Sequence, residues 1–400
     1  MSTNVFFSVG EPSGDQHAAR LIHRIGQIQP QINIRGFGGR AMSQAGCDLD
    51  LDLTQHAVMG LVEVVPKLRE FFRFVDQAEE YFRAGEVDAV VLVDFPGFNW
   101  HIAKRAKKYN IPVYYYCPPQ LWAWGGWRSR KMRRNVDHVL AVLPIEEKYF
   151  GERGIPTTYV GHPFFDAVYD QPLDQKLMRD LSQQPRQDKL VAVLPGSRGS
   201  EVRKNWHIML DAIGELSKKH PDAQFLVAAY RPDQLDWCMK QLSQQDQNLP
   251  LQFYVGKTSE IIQASHCAMM VSGSVSLELM ARQTPAAVIY RIGRLVNAVG
   301  KYLLGVDSMT LPNLMGPTKV FPEMLSVGDP RPTVDFLVQT IDAMLGDSFY
   351  YKRTLNQLQQ LSEQHAVAGA TNKAAAWLCD KIDSSKPIVA IQPRPSKRAA

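Results

Sequence analysis

The sequence has few of the features that mark secreted, zinc-binding or membrane-spanning proteins. Its five cysteines are scattered over 400 residues without a CxxC pair, which argues against a disulfide framework or a zinc site and favours reduced thiols in a cytoplasmic protein. No apolar run reaches the roughly 18 residues of a transmembrane helix. The N-terminal residues lack the basic region of a signal peptide and are typical of a first β-strand.

A strong excess of charge of one sign is also missing. The chain carries 45 Lys and Arg against 40 Asp and Glu, a formal net charge of +5. This excess is too small to indicate a nucleic-acid-binding protein, and we expect no nucleic-acid partner. It is compatible with an anionic substrate or an acidic lipid surface.

Short β-branched or aromatic runs alternate with longer segments of helical periodicity. This alternation predicts an α/β fold of two tandem Rossmann-like domains facing across a cleft. We expect domains at 1–168 and 169–348, with a polar hinge over Tyr169–Lys189. C-terminal helices over 349–383 are expected to pack back on the first domain, and 384–400 is predicted to be a disordered tail. The predicted strands are Asn4–Val9, Ile32–Phe37, Asp88–Val93, Pro112–Cys117, Val136–Val142, Thr157–Val160, Leu190–Leu194, Gln224–Ala228, Leu251–Val255, His266–Val271 and Ala286–Tyr290.

Ligands of such sheets bind beyond the carboxyl ends of the strands, so the strand-to-helix loops are where chemistry is expected. The first of these loops, Gly10–Asp15 (GEPSGD), follows the first strand. Its Glu11 and Asp15 disfavour phosphate but suit hydrogen bonds to sugar hydroxyls or proton transfer. A helix N-cap role for Ser13 or Asp15 fits the pattern as well.

The loop Val93–Asn99 (VDFPGFN) places a carboxylate at the end of an apolar strand, before a Pro-Gly turn. Partial burial at this edge would raise the pKa of Asp94 and fit it to act as a base. The alternative is an Asx-turn or a cap for the helix that starts near Asn99.

The loop Leu194–Glu201 (LPGSRGSE) closes the first strand of the second domain. Its glycines free the backbone, Ser197 adds a hydroxyl donor and Arg198 supplies a planar cation, a set that suits a phosphate or diphosphate. The loop matches neither the Walker pattern nor GxGxxG, and a glycine-rich turn with a surface arginine is the alternative.

The loop Ser272–Glu278 (SGSVSLE) again leads from a strand through small residues into a helix. The small residues would let a diphosphate approach the helix N-terminus, and Glu278 is placed to accept hydrogen bonds from ribose hydroxyls. The alternative, a capping box on Ser274, has its acidic residue one position out of register. Asn313, in Leu311–Gly316, is a weaker candidate, because an asparagine there is more often part of a turn.

Three segments suggest apolar partners. Ala57–Val75 and Gly293–Leu304 are apolar with interspersed Lys and Arg, which fits a helix lying in a bilayer interface as well as a core-facing helix. Pro118–Arg128 places three tryptophans in a Gly/Pro-rich loop before a basic run. This loop fits an interfacial anchor, the wall of an acyl-chain site or part of the core.

Taken in order, these loops resemble those of the lipid-A-disaccharide synthases. The likeness extends from about residue 3 to residue 380, and the combination of its first, fifth and sixth motifs is specific, whereas each alone is weak. The motifs are GEPSGD (Gly10–Asp15), AVMGLVEV (Ala57–Val64), VDFPGFN (Val93–Asn99), PPQLWAW (Pro118–Trp124), LPGSRGSEV (Leu194–Val202), SGSVSLE (Ser272–Glu278) and LPNL (Leu311–Leu314).

The resemblance implies a GT-B glycosyltransferase fold and a specific reaction. UDP-2,3-diacylglucosamine would donate its sugar to 2,3-diacylglucosamine 1-phosphate (lipid X), giving a β-1,6-linked disaccharide phosphate and UDP. A β-linked product from an α-linked donor means inversion, so a single displacement needs a base for the acceptor hydroxyl and charge stabilisation for departing UDP. Neither a metal nor another cofactor is implied.

The resemblance also implies residue roles and partners. Asp94 is the expected base, with Glu11 and Asp15 as rivals or acceptor contacts. The expected UDP-sugar contacts are Ser197, Arg198, Ser272, Gly273, Ser274, Glu278 and Asn313. The expected acceptor and acyl-chain contacts are Ser13, Met59, Trp122 and Trp124. The expected partners are the donor, lipid X and the anionic cytoplasmic face of the inner membrane, where the protein would bind peripherally, and a homodimer is left open.

Two other functions are open from the sequence. A UDP-sugar epimerase, or a transferase with a water-soluble acceptor, would use the same architecture. A non-catalytic UDP-sugar-binding protein at the membrane surface would keep the binding loops without the chemistry. UDP release that requires both acylated sugars distinguishes the predicted transferase from all of these.

Overall fold

Two parallel β-sheets, one in each half of the chain, organise the fold. The computed structural model describes residues 3–57, 68–183, 189–294 and 307–384. The strands are β1 (Thr3–Val9), β2 (Ile32–Gly38), β3 (Asp48–Asp52), β4 (Ala89–Val93), β5 (Val113–Tyr116), β6 (His138–Ala141), β7 (Thr157–Tyr159), β8 (Leu190–Leu194), β9 (Gln224–Ala229), β10 (Leu251–Val255), β11 (Cys267–Val271), β12 (Ala286–Ile292) and β13 (Glu323–Val327). The first sheet has the order β3-β2-β1-β4-β5-β6-β7 and the second β10-β9-β8-β11-β12-β13.

Helices connect the strands, as parallel pairing requires. Within the described residues they are α1 (Pro12–Ile28), α2 (Arg40–Gln44), α3 (Thr54–Ala57), α4 (Leu68–Arg83), α5 (Pro96–Lys108), α6 (Ser129–Asn135), α7 (Pro144–Gly151), α8 (Pro163–Asp170), α9 (Gln175–Ser182), α10 (Gly199–Lys219), α11 (Pro232–Lys240), α12 (Thr258–Ala264), α13 (Val275–Ala281), α14 (Leu311–Met315), α15 (Arg331–Gly346), α16 (Ser348–His365) and α17 (Ala370–Ser384). Several begin with a proline, whose fixed φ and missing N–H suit the first helical position. This proline ends the preceding loop sharply at the carboxyl edge of the sheet.

β4 shows why apolar runs in the sequence become central strands. All of its residues are buried. Val91 and Val93 join the core that contains the apolar face of α1, whereas Val90 and Leu92 join the core that contains α5. A strand covered on both faces needs apolar side chains in both directions, so its sequence does not alternate.

The eleven predicted strands are present, and the predicted two-domain α/β architecture with C-terminal helices is confirmed. Two further strands, β3 and β13, were not predicted. Each lies at the outer edge of its sheet, and most of its side chains are only partly buried. Because an edge strand is covered less completely, it tolerates acidic residues such as those of DLDLD and gives a weak apolar signal.

The segment expected to be a hinge, Tyr169–Lys189, instead contains α9. The carboxylate of Asp174 caps this helix by accepting two backbone N–H groups of its first turn at 3.1 Å. The same carboxylate pairs at 2.7 Å with Lys257 of the second half. Part of the polar composition therefore reflects an exposed helix attached to the second half, and residues 184–188 of the expected hinge lie outside the described residues.

The C-terminal helices contact both halves. α16 packs against α13, α14 and α15 of the second half, whereas α17 packs against α1 of the first. Asp166, in α8, accepts the backbone N–H groups of Gly369 and Thr371 at 2.5 and 2.8 Å at the start of α17. Trp377 lies against Tyr114 and His138, with ring centroids 5.4 and 4.2 Å away. The chain thus returns to the first half at its end.

Residues 385–400 of the predicted tail lie outside the described residues. None of the helices within the described ranges combines the length and the apolar character that crossing a bilayer requires.

Candidate functional site

Both sheets have the same arrangement at their centre. β1 lies between β2 and β4, and β8 lies between β9 and β11. Each sheet therefore has a switch point, where the chain leaves its first strand toward one side and later returns to the other. Ligands bind there, beyond the carboxyl ends of the two central strands. The loops at the two switch points are the GEPSGD, VDFPGFN, LPGSRGSE and SGSVSLE loops.

A cleft of about 970 Å³ lies between the halves. The loop after β5 lines it with Gln120, Trp122, Ala123 and Trp124, and the second half lines it with Arg198, Ser272 and described residues of 290–292 and 307–325. Carboxyl-edge loops of both sheets line this cleft, whereas Asp94 and Glu11, described residues at the first switch point, are not among its lining residues. Of the predicted site residues within the described ranges, Trp122, Trp124, Arg198 and Ser272 line the cleft.

Asp94 follows β4 directly and is half-buried. Burial, with a smaller contribution from the negative charge of Glu11, raises the pKa of Asp94 to about 6. Its backbone is left-handed, with a φ of 48°, and Phe95 follows at 44°. Such strain costs about 1–3 kcal/mol per residue and concentrates at functional sites. The place of Asp94 at the end of a central strand and its raised pKa suit a general base.

The loop after β1 approaches Asp94 closely. A Cβ on Gly10 would lie 2.1 Å from the ring of Phe95, and a Cβ on Gly14 would lie 3.7 Å from the Cβ of Asp94. Only glycine at residue 10 permits this approach. Glu11 precedes α1 and makes no side-chain capping bond in it. Its carboxylate is therefore the charged neighbour of Asp94 at this switch point.

The carboxylate of Asp15 has different surroundings from that of Asp94. Its Oδ1 accepts the backbone N–H groups of Gly39 and Met42 at 2.9 and 3.1 Å, and its Oδ2 accepts that of Ala41 at 2.9 Å. These bonds satisfy free N–H groups at the start of α2. The arrangement matches the capping alternative, on a neighbouring helix rather than on α1, and favours Asp94 as the base. Ser13 is exposed in the first turn of α1.

Arg198 and Glu201 occupy the switch point of the second sheet. Arg198 Nη1 donates to Glu201 Oε1 at 3.0 Å, while the Arg198 side chain stays 79% exposed. Glu201 Oε2 accepts the backbone N–H groups of Ser197 and Arg198 at 3.2 and 3.1 Å. The Glu201 carboxylate thus accepts hydrogen bonds from backbone N–H groups of the loop, and such groups commonly bind phosphate oxygens in other proteins.

The turn after β11 is bonded to another segment of the same cleft wall. Ser272 Oγ donates to the carbonyl oxygen of Met309 at 2.7 Å. Gly273 and Ser274 are exposed. Ser274 precedes α13 without a side-chain capping bond, so the capping-box alternative is not realised.

Asn313 and Glu278 are buried behind the cleft surface. Asn313 Oδ1 accepts the backbone N–H groups of residues 320–321 at 2.8 and 3.0 Å, and Nδ2 donates to Glu323 at 2.7 Å. Glu278 Oε1 accepts from Nε of Arg282 at 2.9 Å. Asn313 therefore shapes the wall of the cleft through the loop it holds.

The tryptophan loop has a buried and an exposed part. Trp122 is buried, and its indole N–H points to Glu146 Oε1 at 3.4 Å. Burial raises the pKa of Glu146 to about 7. Trp124 is 50% exposed, and the guanidinium of Arg128 lies 4.2 Å over its ring. The loop therefore combines a core anchor with an apolar surface at the cleft.

Several of the predicted lipid contacts fall outside the described residues. Met59 is among them, and so are residues 58–67 of Ala57–Val75 and residues 295–304 of Gly293–Leu304.

Sequence reasoning missed residues that hold the site together. Asn99 and Tyr115 both donate a hydrogen bond to the backbone carbonyl of Asp94. Glu201 accepts backbone N–H groups within the LPGSRGSE loop. Glu323 accepts the backbone N–H groups of residues 309–310. Asn99 and Glu201 are the last residues of the VDFPGFN and LPGSRGSE motifs, and this position in the sequence could have identified them as site residues. Tyr115 and Glu323 come from neighbouring strands, and no local pattern links them to the loops.

Comparison with known proteins agrees with this geometry. A family model described as lipid-A-disaccharide synthetase matches residues 5–366. The chain belongs to this family. The match spans all four switch-point loops, so the resemblance seen in the motifs is confirmed.

Members of the lipid-A-disaccharide synthetase family align over almost the whole chain. The lipid-A-disaccharide synthase of Syntrophus aciditrophicus is 33% identical over 382 residues, covering 95% of this chain and 98% of the relative. That of Coxiella burnetii is 30% identical over 383 residues, covering 95% and 99%. Among solved structures, the UDP-GlcNAc 2-epimerase of Neisseria meningitidis bound to UDP-GlcNAc superposes with a TM-score of 0.64 at 13% identity, covering 95% of this chain and 100% of that one. This likeness shows the shared GT-B fold.

Proposed function

We propose that the protein is a glycosyltransferase that carries out the lipid-A-disaccharide synthase reaction. It transfers 2,3-diacylglucosamine from its UDP conjugate to lipid X and releases UDP. The observation that carries the proposal is the family match over both switch points, one of which holds a carboxylate with a raised pKa. The relatives named lipid-A-disaccharide synthase align with this chain over nearly their whole length.

The proton transfer follows from the first switch point. The Asp94 carboxylate takes the proton of the acceptor 6-hydroxyl as that oxygen attacks the anomeric carbon of the donor. The bond between this carbon and the diphosphate oxygen breaks, and UDP leaves with the electron pair. Attack opposite the leaving group inverts the anomeric centre. A carboxylate with a pKa near 6 is ionised at neutral pH and still basic enough to share the proton in the transition state.

The leaving diphosphate is stabilised from the second half. Arg198 is exposed in the cleft and carries a charge that a diphosphate would pair with, in place of its bond to Glu201. Charge-assisted hydrogen bonds of this kind are stronger than hydrogen bonds between neutral groups. Ser272 and the exposed Gly273 and Ser274 complete the turn that the diphosphate would approach.

The test separates chemistry from binding. Asp94→Asn keeps the shape of the side chain but removes the base, so UDP affinity is expected to stay within about two-fold while turnover falls by about 100-fold or more, the scale of general-base catalysis.

UDP release is measured with donor alone and with donor plus lipid X. Release only with both substrates supports the transferase, and release with donor alone contradicts it.

The epimerase alternative is not favoured. The Neisseria epimerase shares the fold at only 13% identity, and a fold alone hosts many reactions. The whole-length relatives at 30% identity or more are synthases. The UDP-GlcNAc held by the epimerase supports a UDP-sugar ligand in the cleft of this protein.

An anionic membrane surface is the proposed source of the acylated substrates. Trp127 is 66% exposed and lies beside Trp124, with ring centroids 6.3 Å apart. A groove that begins in α6, the helix after the tryptophan loop, is lined by Arg130, Arg133 and Arg153 together with Glu152. Exposed tryptophan beside arginine favours an anionic bilayer interface.

Vesicle sedimentation tests this contact. The triple variant Trp127→Ser, Arg130→Ser, Arg133→Ser is expected to lose most binding to phosphatidylglycerol vesicles at low salt. The matched control replaces an exposed aromatic and two exposed cations of α16, as Phe349→Ser, Lys352→Ser and Arg353→Ser. Equal binding by both variants would contradict the assignment of this surface.

A further inference from the structure

Two successive left-handed residues after β4 need a structural reason to keep that conformation. Asp94 and Phe95 have φ values of 48° and 44°, and neither is glycine. Such a turn persists only where its surroundings fix it. The direction of the Asp94 side chain depends on this turn.

One buried amide holds the turn. Asn99, in the first turn of α5, is fully buried. Its Nδ2 donates to the backbone carbonyl of Asp94 at 2.8 Å and to that of Ser8 at 3.2 Å, and its Oδ1 accepts the hydroxyl of Ser8 at 2.7 Å. Ser8 belongs to β1. The Asn99 side chain therefore links the ends of both central strands to the peptide that follows Asp94.

A second donor reaches the same carbonyl from β5. The hydroxyl of Tyr115 donates to the backbone carbonyl of Asp94 at 2.6 Å. Burial raises the pKa of Tyr115 well above its usual value, so this hydroxyl keeps its proton at neutral pH. The two donors use both lone pairs of the Asp94 carbonyl oxygen.

We propose that Asn99 and Tyr115 are positioning residues, which fix the left-handed turn through the Asp94 carbonyl and thereby aim the Asp94 carboxylate at the acceptor. Their bonds go to the main chain and not to the carboxylate, so they act through the backbone. The proposal rests on the proposed function, in which Asp94 is the base. Ser8 lies on β1 and Tyr115 on β5, the two strands that flank β4 in the sheet, and Asp94 directly follows β4.

The titratable groups that act on Asp94 come from two elements. Glu11 lies in the loop after β1, and Tyr115 and Cys117 lie on β5 and directly after it. Burial raises the pKa of both Tyr115 and Cys117 well above their usual values, so neither changes charge near pH 6. If kcat/KM falls as the pH drops through about 6, this acid limb of the pH profile therefore reports the protonation of Asp94 and the effect of Glu11 on it.

Tyr115→Phe is the gentlest test, because it removes one hydroxyl. We expect kcat to fall by about 3- to 10-fold with KM for the UDP-sugar within about two-fold, since a misplaced base affects the reacting state and not ground-state binding. The acid limb of kcat/KM is expected to move to lower pH, because a loosened turn lets water reach the carboxylate. Tyr114→Phe is the matched control, since Tyr114 lies on the same strand but packs against Trp377.

Asn99→Leu, of similar size, removes the amide and is expected to lower kcat by more than Tyr115→Phe, with the acid limb moved in the same direction. Thermal unfolding of each variant separates a structural loss from a positioning loss. A wild-type kcat and pH profile in Tyr115→Phe would overturn the proposal. A second result would also overturn it: both variants have a lower kcat and a lower melting temperature, but the acid limb of kcat/KM stays at the wild-type pH.

An activity-independent readout separates this inference from the proposed function. The Asp94 carboxyl is titrated by carbon NMR in the wild type and in Tyr115→Phe. A lower Asp94 pKa in the variant supports the positioning role even if the wild type forms no disaccharide, in which case only the proposed function fails. An unchanged pKa together with normal disaccharide formation in the variant leaves the function standing and overturns the inference.

Discussion

At the scale of single residues, the first switch point holds two carboxylates, whereas the second holds an arginine paired with a carboxylate. Asp94 and Glu11 place carboxylates at the first, whereas Arg198 stands at the second with the backbone N–H groups of its loop. A single displacement across the cleft needs this division, because the acceptor loses a proton on one side and the diphosphate gains charge on the other.

The raised pKa of Asp94 predicts the pH dependence. The base works only when ionised, so kcat/KM is expected to fall below about pH 6. Glu11→Gln removes a negative charge that opposes ionisation of Asp94, so the acid limb moves to lower pH. The measurement is kcat/KM against pH for both proteins. Loss of turnover at every pH in Glu11→Gln, without a shifted limb, would instead identify Glu11 as the base.

Arg198 is predicted to bind the diphosphate. Arg198→Ala is expected to weaken UDP binding by about 1.5–3 kcal/mol, the scale of a hydrogen bond to a charged group. Lys219→Ala is the control, because Lys219 lies at the opposite end of α10 from Arg198 and pairs with Asp342. Calorimetric titration with UDP measures both. Equal affinities in the two variants would remove Arg198 from the site.

The sequence predicted which loops would form the site, but it could not predict which carboxylate oxygens already accept backbone N–H groups. Asp94 and Asp15 looked alike as acidic residues in strand-to-helix loops. Their roles differ because the carboxylate of Asp15 meets three N–H groups of α2, a contact with residues 24 to 27 positions away. No local pattern reports such a contact.

At the scale of elements, the central strands were predictable and the edge strands were not. β4 and β8 are apolar throughout because they are covered on both faces. β3 and β13 are partly exposed, so their sequences contain acidic residues and resemble loops. The helix that returns to the first half was predicted as a helix, but its attachment there depends on residues distant in the chain, such as Asp166 with Gly369 and Tyr114 with Trp377.

The cap of α17 tests how this element is held. Asp166→Ala removes the acceptor of two backbone N–H groups and is expected to lower stability by about 0.5–2 kcal/mol. Hydrogen exchange is expected to rise in α17 and in α1, against which it packs. Asp347→Ala removes the equivalent cap of α16 and is expected to leave exchange in α1 unchanged. Unchanged exchange in α17 of Asp166→Ala would contradict the role of this cap.

At the scale of the whole molecule, the cleft is made by segments that are distant in the chain. Its first-half wall comes from the loop after β5, and its second-half wall combines Arg198 with described residues of 290–292 and 307–325. The number of domains and their α/β class follow from the alternation of strands and helices. The shape of the cleft does not, because it depends on how Asn313 and Glu323 fold the loop before β13.

The anomeric configuration of the product tests the central claim most directly. The wild-type protein is incubated with UDP-2,3-diacylglucosamine and lipid X, and the product is analysed by mass spectrometry and proton NMR. The account predicts a disaccharide phosphate in which the new linkage is β, formed from an α-linked donor. An α linkage, or consumption of the donor without a disaccharide, would contradict it.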